Sequence, residues 1–317
     1  MNPWRATLAL GGGGARGIAH LGAIEELLKS GLEVERIVGV SIGSLAGALF
    51  AFEPDIERAQ KRTLEYLQSA AFGRHQRLLF GAQHSPRDAE QKGGRVWSSY
   101  RRLASLWRAN QLLYRAVRRH SFLPGFILES VVDHLVPDAD IADARIPLSI
   151  VAVDLHSGEP VVFEKGPARL AVKASAALPG VFPPVPFEGR LLCDIGEFYS
   201  LPLGFARAHA PETLVAVDVG ANLKPLPASA SALEILVRMN DIGSAMFRKH
   251  LGNAPDLLVL PQVADIPWFD FTAGAELVEA GRSAAREALA ALPPQRHWIE
   301  RLVGKALTPI LRPAAMW

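Results

Sequence analysis

The feature that most constrains this chain is a glycine-rich strand, turn and helix unit that occurs twice before residue 53. Ala6 to Leu10 is a short apolar run, Gly11 to Gly14 supplies a turn, and Ile18 to Leu28 places apolar residues at helical spacing. Arg36-Ile37-Val38-Gly39-Val40 then reads as a buried strand, with Ser41 at the turn and Gly43 to Phe52 as a small-residue helix able to pack closely on a sheet. Alternating units of this kind build a mostly parallel sheet with helices on both faces. The expected fold class is α/β, a three-layer α/β/α arrangement around a mostly parallel central sheet. Further strands are expected at Leu148 to Val153, Pro160 to Phe163, Leu191 to Cys193, Thr213 to Val219 and Asp256 to Leu260. Further helices are expected at Ala168 to Ala176, Ser231 to Leu251 and Gly274 to Ala291.

One domain over residues 1–317 is expected, with an insertion at 73–122 and a C-terminal tail at 295–317. With 49% hydrophobic and 21% charged residues, the composition excludes wholesale disorder. Within the insertion, residues 81–95 are polar and glycine-rich and read as an exposed loop, whereas 97–119 read as a helix. One face of that helix carries Tyr100, Leu103, Leu106, Trp107, Leu113, Tyr114 and Val117; Arg101, Arg108, Arg115 and Arg119 lie opposite. Net charge is only +2, yet between Glu90 and Glu129 there are eight Lys or Arg and no acid, so the remainder of the chain is net negative. A general nucleic-acid binder would spread its basic surface through the fold, so no nucleic-acid partner is expected. Two readings of the cationic helix stay open: packing on the domain with a solvated arginine face, or settling on anionic lipid through Arg101, Trp107, Arg108, Tyr114, Arg115 and Arg119. The lone Cys193 excludes an intrachain disulfide and any multi-cysteine metal site. No apolar run reaches the length of a membrane span, and the N-terminal segment meets glycines before a signal-peptide core develops. A cytoplasmic location, with peripheral contact at the inner membrane face, is the expectation.

Two motifs carry chemistry. Gly12-Gly13-Gly14-Ala15-Arg16-Gly17 is a GxGxxG between strand and helix, whose bare backbone N–H groups and helix N-terminus suit an anion. A dinucleotide site would want an acid at the end of the next strand. Glu33 and Glu35 precede that strand and Ser41 ends it, which disfavours the dinucleotide reading. Gly39-Val40-Ser41-Ile42-Gly43 is a GxSxG at a strand-to-helix turn, where side chains at Gly39 or Gly43 would clash as the backbone bends to present the serine. No histidine stands in a convincing place to be its base: His20 sits in the first helix, where a buried or capping role is favoured. Asp194 is the better candidate, because it ends the apolar strand Leu191-Leu192-Cys193 and would project into the crevice beside the serine.

GGGARG at 12–17, GVSIG at 39–43, ASAALPGVFPPV at 174–185 and an Asp ending the next strand stand in the order seen in patatin-like phospholipases. The chain resembles a compact bacterial member of that family, a resemblance that extends to IPLSIVAVDLHSGEPVVFEKG at 146–166 and FDFTAGAELVEAG at 269–281. It implies a strand-nucleophile-helix elbow and a Ser-Asp dyad, with Ser41 as nucleophile and Asp194 as general base. It also implies an oxyanion hole from the glycine loop, chiefly Gly13 and Gly14 with the neighbouring Gly12 and Gly17, and with Arg16 helping to hold the loop or the charge; the N–H of Ile42, directly after the nucleophile, is where the related hydrolase elbow would supply another donor. No metal or cofactor is implied, and the substrate would be a phospholipid, lysophospholipid or other fatty acyl ester. The family's Asp-Gly-Gly or Asp-Gly-Ala is here Asp194-Ile195-Gly196, and a frequent Asn nearby is Ser200. If the turn needed positive φ, β-branched Ile195 would rearrange or strain it. That departure motivates an alternative, a membrane-associated lipid-binding protein of the same fold with little turnover.

Overall fold

The computed structural model describes residues 4–74, 121, 123–196, 199–220 and 254–292, with six isolated positions between 235 and 246. Almost all of the insertion, including every residue of the cationic helix, lies outside the described residues. So do most of the expected helix at 231–251 and the tail.

Among the described residues eight strands form one sheet: β1 Trp4–Leu10, β2 Leu32–Val40, β3 Leu148–Asp154, β4 Pro160–Phe163, β5 Val185–Phe187, β6 Arg190–Cys193, β7 Leu214–Val217 and β8 Leu257–Val259. Their order is β5-β6-β3-β2-β1-β7-β8, with β4 also paired to β3. The block β3-β2-β1-β7-β8 is parallel throughout, while β4, β5 and β6 run antiparallel to their partners. The helices are α1 Ala19–Lys29, α2 Ile42–Phe52, α3 Ile56–Gln68, α4 Phe126–Leu135, α5 Ala168–Ala176, α6 Leu203–Arg207 and α7 Gly274–Ala290. The sandwich is thus three-layered and mostly parallel, as the two opening units require.

Strand periodicity divides the core. Leu8 and Leu10, Ile37, Leu148 and Ile150, and Val215 and Val217 pack with residues of α1, α2, α5 and α7 on one face of the sheet. Their neighbours Ala9, Val38 and Val40, Val151, Leu214 and Ala216 pack on the other face with Leu203 and Ala206 of α6. Central strands buried on both faces have no polar alternation, which is why they read as continuous apolar runs.

Helices α1 and α7 are in backbone contact. A Cβ on Gly22 would lie 1.8 Å from the Val278 carbonyl oxygen, and one on Gly281 would lie 1.9 Å from that of Ala19. Glu25 ties this pair to α3: its carboxylate accepts from Lys29 Nζ at 2.6 Å, Gln60 Nε2 at 2.7 Å and Arg282 Nε at 2.7 Å.

Of the groups whose environment disfavours protonation in the fold, three are shifted furthest. Burial lowers His20 to about 4, partly offset by its bond to Gly11. Burial pushes Glu25 up, but its bonds from Lys29, Gln60 and Arg282 outweigh this and bring it to about 2. Asp154 is lowered to about 2, chiefly by the Leu191 N–H. Between pH 6.5 and 4 the unfolded chain binds a proton at His20 that the folded chain refuses, so stability falls as pH drops through that window. Below it, protonating Glu25 and Asp154 costs more in the folded state, and the loss continues toward pH 2. We expect urea midpoints to decline from pH 7 to 4, with His20→Gln flattening the limb between 6.5 and 4 by up to about 1.4 kcal/mol per pH unit. An unchanged limb in the variant would remove His20 from this account.

Candidate active site

Both sequence motifs sit at the C-terminal ends of adjacent parallel strands, β1 and β2. Ser41 follows β2 directly and caps α2 with φ 54° and ψ −129°, a strained conformation for a residue with a side chain. Neighbours hold it there. The Ser41 N–H donates to Ser175 Oγ at 2.9 Å, and Ser175 Oγ donates in turn to the Val151 carbonyl at 2.6 Å. The Ser41 carbonyl accepts from Ser44 Oγ at 2.6 Å and from Ser44 N–H at 2.9 Å. The flanking glycines have no room for a side chain: a Cβ on Gly39 would lie 2.6 Å from the Gly43 carbonyl oxygen, and one on Gly43 would lie 2.2 Å from that of Leu10.

The glycine turn lies against the serine. A Cβ on Gly12 would meet Ser41 Cβ at 3.2 Å and Ser41 Oγ at 3.8 Å. His20, fully buried, donates from Nε2 to the Gly11 carbonyl at 2.8 Å, and its Nδ1 has no partner among the described residues. It is thus a buried residue that braces the turn, as its place in the helix led us to expect.

The six residues expected in the oxyanion hole divide into three groups. Gly12 donates its N–H to the Ser200 carbonyl at 2.8 Å, so this donor is already engaged, contrary to expectation. Gly17 serves packing, since a Cβ there would lie 2.3 Å from Ile42 Cγ2, and Arg16 Nε donates to the Ile266 carbonyl at 2.7 Å. The N–H groups of Gly13, Gly14 and Ile42 show no hydrogen bond among the described residues. Gly14 has φ +59°, a backbone state that glycine enters without penalty.

Asp194 reaches this place by a route different from the expected one. Val153 of β3 pairs with Pro160 on one edge and Cys193 on the other, while Ile150 and Val151 pair with β4 on the first edge and β2 on the second. Strand β6 therefore occupies the same edge of β3 as β2, beyond the point where β2 ends at Val40. Running antiparallel, it delivers Asp194 head-on toward Ser41, instead of side by side from a parallel strand. Asp154 ties this short pairing, accepting the Leu191 N–H at 3.0 Å, and the Asp194 N–H donates to the Ala177 carbonyl at 3.0 Å.

Asp194 is buried, 3% exposed, and its Oδ1 accepts the Gly196 N–H at 2.6 Å. A Cβ on Gly196 would lie 2.8 Å from that Oδ1 and 3.7 Å from Ser41 Cβ, so carboxylate and serine flank one small gap that only glycine leaves open. Ile195 does not strain the turn. It is absent from the positive-φ residues, and its side chain, 3% exposed, packs on the second face of the sheet in the core that includes Val40, Val151 and Leu201. Ser200, in place of the family's frequent Asn, acts on the turn through its backbone carbonyl.

Ser175 and Ala177, which hold the backbones of Ser41 and Asp194, were not singled out from sequence, although both lie within the ASAALPG stretch. Nothing local marks Trp268, whose carbonyl accepts the Ala15 N–H at 2.6 Å. Together, a hydroxyl on a strained turn, a buried carboxylate and unengaged backbone donors can support acyl transfer.

The family model for patatin-like phospholipase matches residues 8–206. Lysophospholipase NTE1 of Mycosarcoma maydis is 32% identical over 67% of this chain and 10% of that protein. Patatin-like phospholipase domain-containing protein 6 of Homo sapiens is 29% identical over 67% of this chain and 13% of its own length. An uncharacterised NTE family protein of Mycobacterium tuberculosis is 26% identical over 90% of this chain and 46% of that protein. The chain therefore spans from a tenth to about half of the length of these relatives. Among solved structures, VipD from Legionella pneumophila aligns with a TM-score of 0.44 at 14% identity, over 92% of this chain and 67% of that one.

Proposed function

Since the chain belongs to the patatin-like phospholipase family, we propose that it is a serine lipid acyl hydrolase working through a Ser41-Asp194 dyad. The observation that carries this reading is the small gap at Gly196, flanked by Ser41 on its strained elbow and by the Asp194 carboxylate. Ser41 Oγ attacks the ester carbonyl while its proton passes to Asp194, directly or through water. The carbonyl oxygen becomes an oxyanion held by the N–H groups of Gly13, Gly14 and Ile42, each such donor contributing about 3 kcal/mol of transition-state stabilisation. Collapse breaks the ester C–O bond, Asp194 returns the proton to the leaving alcohol, and an acyl-Ser41 remains. Water activated by Asp194 then releases the fatty acid and restores the serine. No step of this cycle calls for a metal or cofactor.

The substrate class is a phospholipid, lysophospholipid or other fatty acyl ester. The names of the lysophospholipase and phospholipase relatives support it. The cationic stretch at 97–119, with Arg101, Arg108, Arg115 and Arg119, supplies contact with anionic lipid in this proposal, and no described helix is long and apolar enough to cross a membrane. The test is to treat the protein with a fluorophosphonate, map the adduct by mass spectrometry, and follow fatty acid release from anionic and neutral vesicles at low and high salt. The expected results are an adduct on Ser41 and release that favours anionic vesicles and weakens with salt. A folded protein that binds lipid but neither labels nor turns over would establish the non-hydrolytic alternative; equal, salt-independent release would remove the membrane contact.

A further inference from the structure

We propose that the segment Ile266 to Trp268, beyond the stretch that the family model matches, is the clamp that holds the oxyanion turn in its working conformation, with Trp268 as a positioning residue. The inference rests on the serine hydrolase reading above and adds an element to its machinery. Two consecutive residues of the turn donate into this segment: Ala15 N–H to the Trp268 carbonyl at 2.6 Å and Arg16 Nε to the Ile266 carbonyl at 2.7 Å. The same Trp268 lies on the bare face of Gly14. A Cβ there would meet the Trp268 carbonyl oxygen at 2.3 Å and indole Cε3 at 3.2 Å. The turn thus touches the segment through two hydrogen bonds and one ring.

This matters because backbone donors act on an oxyanion only when fixed in advance. Upstream, the turn is fixed by His20 on the Gly11 carbonyl and by Gly12 on Ser200. Gly13 and Gly14 follow, and glycine supplies no stiffness of its own. The Trp268 segment provides the downstream anchor, and it is itself anchored. Ile266 is buried and its N–H donates to the Val263 carbonyl, while the Asp270 N–H donates to that of Pro267. Asp270 then caps the short turn Phe271–Ala273 leading into α7, whose Gly281 is pressed on the backbone of α1. Turn and clamp therefore hang from two helices in backbone contact, which limits their relative movement.

The test compares wild type, Trp268→Phe and Trp268→Ala on butyrate and decanoate p-nitrophenyl esters, alongside fluorophosphonate inactivation rates and amide hydrogen exchange at Ala15 to Gly17. Trp268→Ala keeps the carbonyl and removes only the ring, so a clamp in which the ring seats that carbonyl on the turn predicts a kcat lowered about 10- to 100-fold on both esters with KM little changed, inactivation slowed in parallel, and faster exchange at Ala15. Trp268→Phe, which keeps a ring over Gly14, should restore most of kcat. A loss confined to decanoate and expressed in KM would instead make Trp268 a wall of an acyl pocket and overturn the clamp. Unchanged kcat with unchanged exchange would also overturn it. If Trp268→Ala does not fold, Trp268→Leu carries the same comparison. Ser41→Ala, run beside these, separates the two readings: activity surviving there refutes the serine mechanism, while exchange at Ala15 still reports on the clamp.

Discussion

Ser41→Ala is expected to lower kcat/KM on fatty acyl esters by about 10⁴-fold or more and to abolish fluorophosphonate labelling, with no loss of folding stability. In the proposed mechanism the hydroxyl forms the acyl bond, whereas the elbow around it is held through backbone atoms that alanine retains: N–H to Ser175 and carbonyl to Ser44. Ser41→Gly should lose activity to the same degree and melt at a higher temperature, because glycine relieves a strained φ of 54° worth about 1 kcal/mol or more. Asp194→Asn keeps the shape of the side chain and an acceptor for the Gly196 N–H but removes the proposed proton acceptor. A loss of roughly 10³- to 10⁴-fold is expected. Near-wild-type turnover in Ser41→Ala, or a label on another residue, would refute the dyad. His20 gives the internal contrast. Burial keeps its ring neutral down to about pH 4, so no limb of the rate profile near neutrality should belong to it.

The largest effect on stability is expected from Gly22→Ala and Gly281→Ala. Each methyl would be driven into a carbonyl oxygen of the facing helix, at 1.8 and 1.9 Å, so α1 and α7 must separate or shear along their whole contact. Overpacking of well-packed positions costs about 1–3 kcal/mol, and backbone against backbone leaves no rotamer to absorb it, so each substitution should reach at least about 3 kcal/mol. Gly158→Ala is the control: nothing lies within 4 Å of its Cβ, and only its φ of +75° resists, a penalty of about 1 kcal/mol. Urea denaturation of the three variants decides the matter. Equal, small shifts would mean that the helix contact yields easily. The same substitutions disturb the turn at the head of α1, so residual activity should fall further than the folded fraction does.

The correspondence between sequence and fold is closest where local sterics dictate the outcome. Ala168–Ala176 is found as a helix between those residues, and the strand at Pro160–Phe163 likewise. The GxSxG pattern requires glycine at Gly39 and Gly43, and the carbonyl oxygens that exclude a side chain there explain why. Agreement is poorer where a residue's environment is assembled from distant parts of the chain. From sequence alone Ile195 strains the loop if the turn needs positive φ; in the fold it takes an ordinary φ and fills the core around Val40 and Val151. Gly12 looked like a donor to an anion, yet the Ser200 carbonyl had already engaged it.

By itself, then, the sequence determined the parallel α/β sandwich, the two glycine turns at the ends of β1 and β2, and the residue types that meet there. These follow from chain periodicity and the stereochemistry of single peptides, which act over a few residues. The tertiary structure alone decided how the parts meet. It made β6 run antiparallel and end head-on against β2, placing Asp194 across a glycine gap from Ser41. It also laid Trp268 over Gly14, a pairing across more than 250 residues. Such contacts are fixed by which surfaces can be buried together once the sheet has formed, and no local pattern along the chain encodes that choice.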